Sequence, residues 1–172
     1  MANILIACEE SQAICKEFRK RGHNAFSCDI LECSGGHPEW HFKQDVLQVI
    51  PNHGGHLETG EEYFLPAGEE WDLMIAHPPC TYLSVSGARW LYHPDDANLP
   101  IEQRREHPHH IGRRKLKAEA EQFFLEFTKT KIKCWAIENP VGCMNTEYRK
   151  PDQIVQPFWF GDSASKKTCL WL

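Results

Sequence analysis

At 172 residues, 41% hydrophobic and 25% charged, the chain has room for one domain with a real core, and its composition fits neither a disordered nor a fibrous protein. A formal net charge of −5 argues against a surface-wide affinity for nucleic acid. No run approaches the roughly 20 apolar residues that span a bilayer, and residues 1–8 run straight into Glu9 and Glu10 without the shape of a secretory signal, so a cytosolic protein with no membrane partner is expected.

Residues 3–7 are a short, apolar, β-branched run that reads as a buried strand. Residues 11–21 carry Ala13, Ile14 and Phe18 at helical spacing, and Gly22 supplies the stop. Residues 25–28 give a second strand ending at Asp29, and residues 41–46 a short third one with Asp45 near its end. A polar, glycine-rich, acidic insertion over about residues 52–70 reads as loop with room for a hairpin. Residues 71–76 form another strand, stopped by His77-Pro78-Pro79-Cys80, and a Pro- and His-rich connection occupies residues 81–112. Residues 113–130 predict the strongest helix, with Leu116, Ala120, Phe123, Phe124 and Phe127 on one face. Residues 133–137 form a strand stopped by Glu138-Asn139-Pro140, and the apolar runs 154–160 and 168–172 predict a terminal antiparallel pair.

Strands alternating with helices imply an α/β fold, a single domain over residues 1–172 with a mostly parallel sheet. Such sheets bind ligands at the carboxyl ends of their strands. Here those ends carry Cys8-Glu9-Glu10, Asp29, Asp45, His77-Pro78-Pro79-Cys80 and Glu138-Asn139-Pro140, so nearly every unusual polar group falls where a site is expected.

The eight cysteines include no C-x-x-C pair; Cys8, Cys28, Cys134 and Cys169 sit in or beside apolar runs, where reduced thiols pack as small hydrophobes. Cys80 differs, because two prolines fix its backbone at a strand end. A thiol there is a candidate nucleophile, with His77 close in sequence; the alternative is a buried structural cysteine. Glu138 can read the donor and acceptor edge of a ring, or cap the next turn. Arg104, Arg105, Arg113, Arg114, Lys115 and Lys117, interspersed with His107, His109 and His110, form a basic stretch that suits phosphates or is simply a solvated helix start. Clustered histidines in a Pro-rich loop are more commonly solvent-exposed than metal-bound, and no metal site is assigned.

The order of these motifs resembles the cytosine-C5 DNA methyltransferases, and more closely their small phage-encoded relatives, over nearly the whole chain. The resemblance matches residues 4–11 to the strand and turn for S-adenosylmethionine, making Ala7, Cys8, Glu9, Glu10 and Ser11 cofactor residues. It matches Asp29 to the acid on the ribose hydroxyls and Asp45 to an acid near the adenine. Pro79-Cys80 corresponds to the Pro-Cys nucleophile, Glu138-Asn139 to the Glu-Asn pair, and Lys166-Lys167-Thr168 echoes the closing Gln-x-Arg-x-Arg strand. It implies a Rossmann-like methyltransferase fold in a cytoplasmic enzyme, of the bacterial host where phage-encoded, with DNA, single-stranded nucleic acid or a free nucleotide as partner. Cys80 then adds to C6 of cytosine, C5 takes the methyl group, and Glu138 holds N3 and the exocyclic amine, so both must face one ring. Residues 81–112 are expected to be mobile and to close over a flipped base, with Arg104, Arg105, Arg113, Arg114 and Lys167 on phosphates.

The chain departs from that family in three places. Its turn, Ala7-Cys8-Glu9-Glu10-Ser11, has no glycine to let a ligand approach the backbone. The residues between Pro140 and Lys166 are too few for a target-recognition domain. Lysines stand where the family's arginines present a planar fork. Two other readings remain open: an amino-methyltransferase, whose Asp/Asn-Pro-Pro-Tyr motif His77-Pro78-Pro79-Cys80 resembles, and a non-catalytic nucleotide- or nucleic-acid-binding protein.

Overall fold

A computed structural model describes residues 1–172 and divides the chain into two compact units. The first comprises Met1–Pro78, Lys129–Glu138 and Leu172, and the second Pro79–Thr128 and Asn139–Trp171. The fold is α/β with a mostly parallel sheet, and no helix is long and apolar enough to cross a membrane.

In the first unit, strands β1 (Asn3–Ala7), β2 (Asn24–Asp29) and β3 (His41–Lys43) alternate with helices α1 (Ala13–Lys20) and α2 (Val46–Asn52). A hairpin, β4 (Gly54–His56) with β5 (Glu62–Phe64), fills the predicted insertion; β6 (Leu73–Ala76) and most of β7 (Cys134–Pro140) complete the unit. The strands run parallel in the order β3-β2-β1-β6-β7. Every residue of β1 is buried, which is why Ile4 to Ala7 are apolar without alternation. One face packs Ile4, Ile6 and Ala25 against Cys15 and Phe18 of α1. Elsewhere Phe26, Phe42 and Trp71 form an aromatic cluster that Tyr63 of the hairpin joins, so the polar insertion contributes to the core.

Two local readings of the sequence differ from the structure here. The expected strand over residues 41–46 stops at Lys43, because the Asp45 carboxylate accepts from Leu47 N at 2.9 Å and starts α2. Val46 and Val49 then bury one helical face. Cys134, expected to pack in the interior, opens β7 and is exposed, whereas Cys28 is buried.

In the second unit, residues 81–112 include helix α3 (Val85–Ala88) and two 3₁₀ turns rather than a plain loop. Helix α4 (Arg113–Phe127) buries Phe124 and Phe127, and Phe124 meets Trp171 edge to face. Helix α5 (Met144–Glu147) precedes an antiparallel pair, β8 (Gln153–Val155) with β9 (Thr168–Trp171). The expected partner strand over residues 154–160 is cut short, because Pro157 lacks an N–H and opens a 3₁₀ turn.

Asp96 anchors the long connection. Its carboxylate accepts from Arg105 N at 2.9 Å, Arg105 Nε at 3.0 Å and Arg105 Nη2 at 2.7 Å. These bonds hold the Asp96 carboxyl down at about 2, below its ordinary 3.8. A carboxyl lowered in the fold stabilises it above the ordinary value, and that contribution disappears as pH falls through the lowered one. The amide protection factors of residues 93–105, exchange rates taken relative to the unstructured chain at the same pH, are therefore expected to fall between pH 3.8 and about 2. Protection unchanged across that window would show that the connection is ordered by other contacts.

Candidate active site at the carboxyl edge of the parallel strands

The strand register defines the site in the first unit. Ala7 pairs with both Cys28 and Ala76, and Ala76 pairs with Ile137. Cys8, Asp29, His77 and Glu138 therefore reach one edge, at the point where the strand order reverses direction about β1. The ladder continues just past the strands, with His77 N donating to Ala7 O at 2.9 Å and Glu9 N to Cys28 O at 3.1 Å.

The β1–α1 turn is built without glycine by placing Cys8 (φ 59°) and Gln12 (φ 56°) in the left-handed region. Such a conformation costs roughly 1–2 kcal/mol per non-glycine residue, so neighbouring contacts must hold it. Gln12 is fully buried: its Nε2 donates to His37 O at 2.8 Å and Ser27 Oγ at 3.2 Å, and its Oε1 accepts from His37 N at 3.0 Å. Gly35 lies so close to Gln12 that a Cβ there would meet Gln12 Cβ at 2.5 Å. The Glu10 carboxylate accepts from Ser34 Oγ, and Ser11 Oγ accepts from Ala13 N at 3.4 Å.

Glu9, expected among the cofactor residues, folds back onto α1. Its carboxylate accepts from Ile14 N at 2.6 Å and Cys15 N at 3.2 Å, and the side chain is buried. It satisfies the free amides of α1, a duty worth about 0.5–2 kcal/mol. The start of α1, where a phosphate could otherwise bind, is thus filled by a carboxylate of the chain itself.

The rest of the edge is acidic. Burial, then the charges of Asp29 and Asp45, push the Cys8 thiol up to about 12. Asp29 Oδ1 accepts from Leu31 N at 3.0 Å. Asp45 is exposed and caps α2, so it marks a helix start rather than a strand end. Sequence reasoning passed over Ile30 and Leu31, which are 72% and 59% exposed directly after Asp29. Exposed aliphatic side chains following a strand-end acid were the available signal.

At the β6 and β7 ends, His77 Nδ1 lies 3.3 Å from Glu138 Oε2, each side chain about a quarter exposed. Ring donating to carboxylate, or protonated carboxyl donating to ring, each closes this contact. His77 Nε2 is buried without a partner. Residues 61 apart in sequence are joined here by strand register alone.

In the second unit, Pro79 is exposed and Cys80 half-buried. The Cys80 carbonyl accepts from Leu83 N and Ser84 N, both at 3.0 Å, which fixes the turn after it. That turn is laced to the residues after Asn139-Pro140: Cys143 N donates to Leu83 O at 2.9 Å, and Val85 N to Val141 O at 3.3 Å. Gly142 is required, since a Cβ there would stand 2.0 Å from Leu83 O. Asn139 is buried. Arg113 holds the same turn, donating to Thr81 O at 3.0 Å with its guanidinium over the Tyr82 ring.

The basic stretch is largely committed to the fold. Arg105 is bound to Asp96, Arg104 donates to Leu99 O and Ala97 O, and Arg113 is spent as described. Arg104, Arg105 and Arg113, expected on phosphates, thus each bond within the chain. Arg114 is exposed with its guanidinium 5.2 Å from the Tyr92 ring centroid, and Lys167 is exposed. Among the histidines, His107 is buried beside Trp90 and His110; burial, then its histidine neighbours, lower its pKa.

No protein-family model matches the chain, and no curated protein matches it. The residues themselves must carry the functional reading. A separate cavity of about 470 Å³ in the first unit lies at the amino ends of β6 and β7, among Trp71, Lys131 and Ile132, away from this edge.

Proposed function

We propose that this protein is an S-adenosylmethionine-dependent methyltransferase that acts on C5 of cytosine in DNA, with Cys80 as transient covalent nucleophile. The observation that carries the reading is the edge itself: an acidic turn with Asp29 and Asp45 on one side of the reversal point, and the His77–Glu138 pair on the other.

The donor set fits that cofactor better than a nucleoside polyphosphate. Glu9 fills the helix start and Asp29 and Asp45 add negative charge, which repels phosphates and favours a cationic sulfonium. In this reading Asp29, whose Oδ1 accepts from Leu31 N, takes the ribose hydroxyls on its second oxygen, and the exposed Ile30 and Leu31 offer an apolar face to a purine. When bound, the cofactor supplies an electrophilic methyl group. Cys80 attacks C6, forming an S–C6 bond and placing an electron pair at C5; after methylation, loss of the C5 proton expels the thiolate. Glu138, oriented by His77, holds N3 and the exocyclic amine and offsets the charge that develops in the ring.

Calorimetry tests the cofactor assignment. S-adenosylmethionine is expected to bind and ATP not to bind, and Asp29→Ala to weaken the former about tenfold or more, the scale of a hydrogen bond to a charged group. A preference for ATP, or no binding at millimolar S-adenosylmethionine, would sink the reading in favour of a protein that binds nucleic acid without this chemistry.

A further inference from the structure

We propose that Phe158, Trp159 and Phe160 form a stacking platform for unpaired nucleobases, with Lys166 and Lys167 holding the phosphates, so that the polynucleotide engaged is single-stranded. The choice of nucleic acid rests on the methyl-transfer reading; the platform rests on the second unit alone.

After β8 the chain meets Pro157, turns through Pro157–Phe160 and is closed by Gly161 at φ 92°. Trp159 N donates to Gln156 O at 3.0 Å, and Gly161 N to Phe158 O and Asp162 N to Pro157 O, both at 3.3 Å. Successive side chains on a 3₁₀ turn point about 120° apart, so the three rings fan outward and cannot share one buried face. They are 50%, 58% and 77% exposed. Phe158 and Trp159 stand edge to face, 6.0 Å apart at 80°. Aromatic side chains bury some 150–250 Å² each when covered, so leaving three consecutive ones in water is unfavourable unless a partner covers them.

Charge selects the partner. In residues 149–167, Arg149 is paired with Asp152 at 2.7 Å, whereas Lys150, Lys166 and Lys167 are exposed and form no ion pair. Asp162 is the remaining acid of this stretch, and its Oδ1 accepts from Ala164 N at 2.7 Å. A locally cationic, aromatic segment on a chain of net charge −5 matches the two faces of a single strand, bases and phosphates. Duplex bases are already stacked and offer these rings no face.

The test is fluorescence anisotropy without cofactor, using a labelled oligo-dC strand and the same strand annealed to its complement. The single strand is expected to bind about tenfold or more tightly than the duplex. Trp159→Ala and Phe160→Ala should each lower that affinity about tenfold, the scale of one base–aromatic stack, and Trp159→Phe should retain most of it. Replacing Lys166 and Lys167 together by Gln should flatten the salt dependence. Circular dichroism checks that each variant is folded. Equal affinity for strand and duplex, or binding indifferent to Trp159→Ala, overturns the proposal. If Trp159→Ala instead converts a dimer to a monomer in sedimentation, the surface belongs to a second copy of the chain and the proposal is likewise overturned. Because binding is read without cofactor, single-strand binding through Trp159 in a chain that transfers no methyl group keeps the platform and removes the methyltransferase reading; the reverse result does the opposite.

Discussion

Cys80→Ser is expected to lower methyl transfer to cytosine by at least ~10³-fold, the scale on which losing a covalent nucleophile acts. C5 of a pyrimidine is a poor nucleophile until a thiolate adds at C6, and a serine hydroxyl is far less ionised than a thiol at neutral pH. The change should spare the fold, since the contacts that fix the Cys80–Ser84 turn use the Cys80 carbonyl. It should also spare cofactor binding, because the acidic edge lies at Cys8, Asp29 and Asp45. Rates measured with labelled cofactor, alongside calorimetry, separate the two effects. A Ser variant that methylates at the wild-type rate means that Cys80 forms no covalent bond.

Glu138→Gln is expected to slow the chemical step about 10²- to 10⁴-fold, the range of a positioned acid or base. The amide keeps the shape but carries neither a charge nor a transferable proton, and it replaces the carboxylate that meets His77 Nδ1 at 3.3 Å. Single-turnover rates with saturating cofactor isolate that step from binding and product release. An unchanged single-turnover rate would reduce Glu138 to a structural partner of His77.

Two strands were legible as unbroken apolar runs: residues 4–7, buried throughout, and residues 73–76, whose positions alternate half-buried and buried. The end of β6 was legible too, since prolines follow it, whereas β7 continues through Glu138 and Asn139 to Pro140 instead of stopping at Ile137. What the sequence concealed were partners. Glu9 looks like a ligand residue until left-handed Cys8 and Gln12 turn its carboxylate back onto α1. Arg104 and Arg105 look like free charge, yet Asp96 and nearby carbonyls consume them. The His77–Glu138 contact depends on Ala76 pairing with Ile137, a register no local pattern specifies. In residues 154–160 the apolar run suggests a strand, although Pro157 and Gly161 bracket a turn and were the signal for it.

The most direct measurement uses an oligonucleotide carrying 5-fluorocytosine together with S-adenosylmethionine. Fluorine replaces the C5 hydrogen, so the proton loss that normally expels the thiolate is blocked and the S–C6 bond persists. The account predicts an adduct that survives denaturation and maps by peptide mass to Cys80. An adduct on another cysteine, or none on Cys80 while ordinary cytosine is methylated at C5, would contradict it.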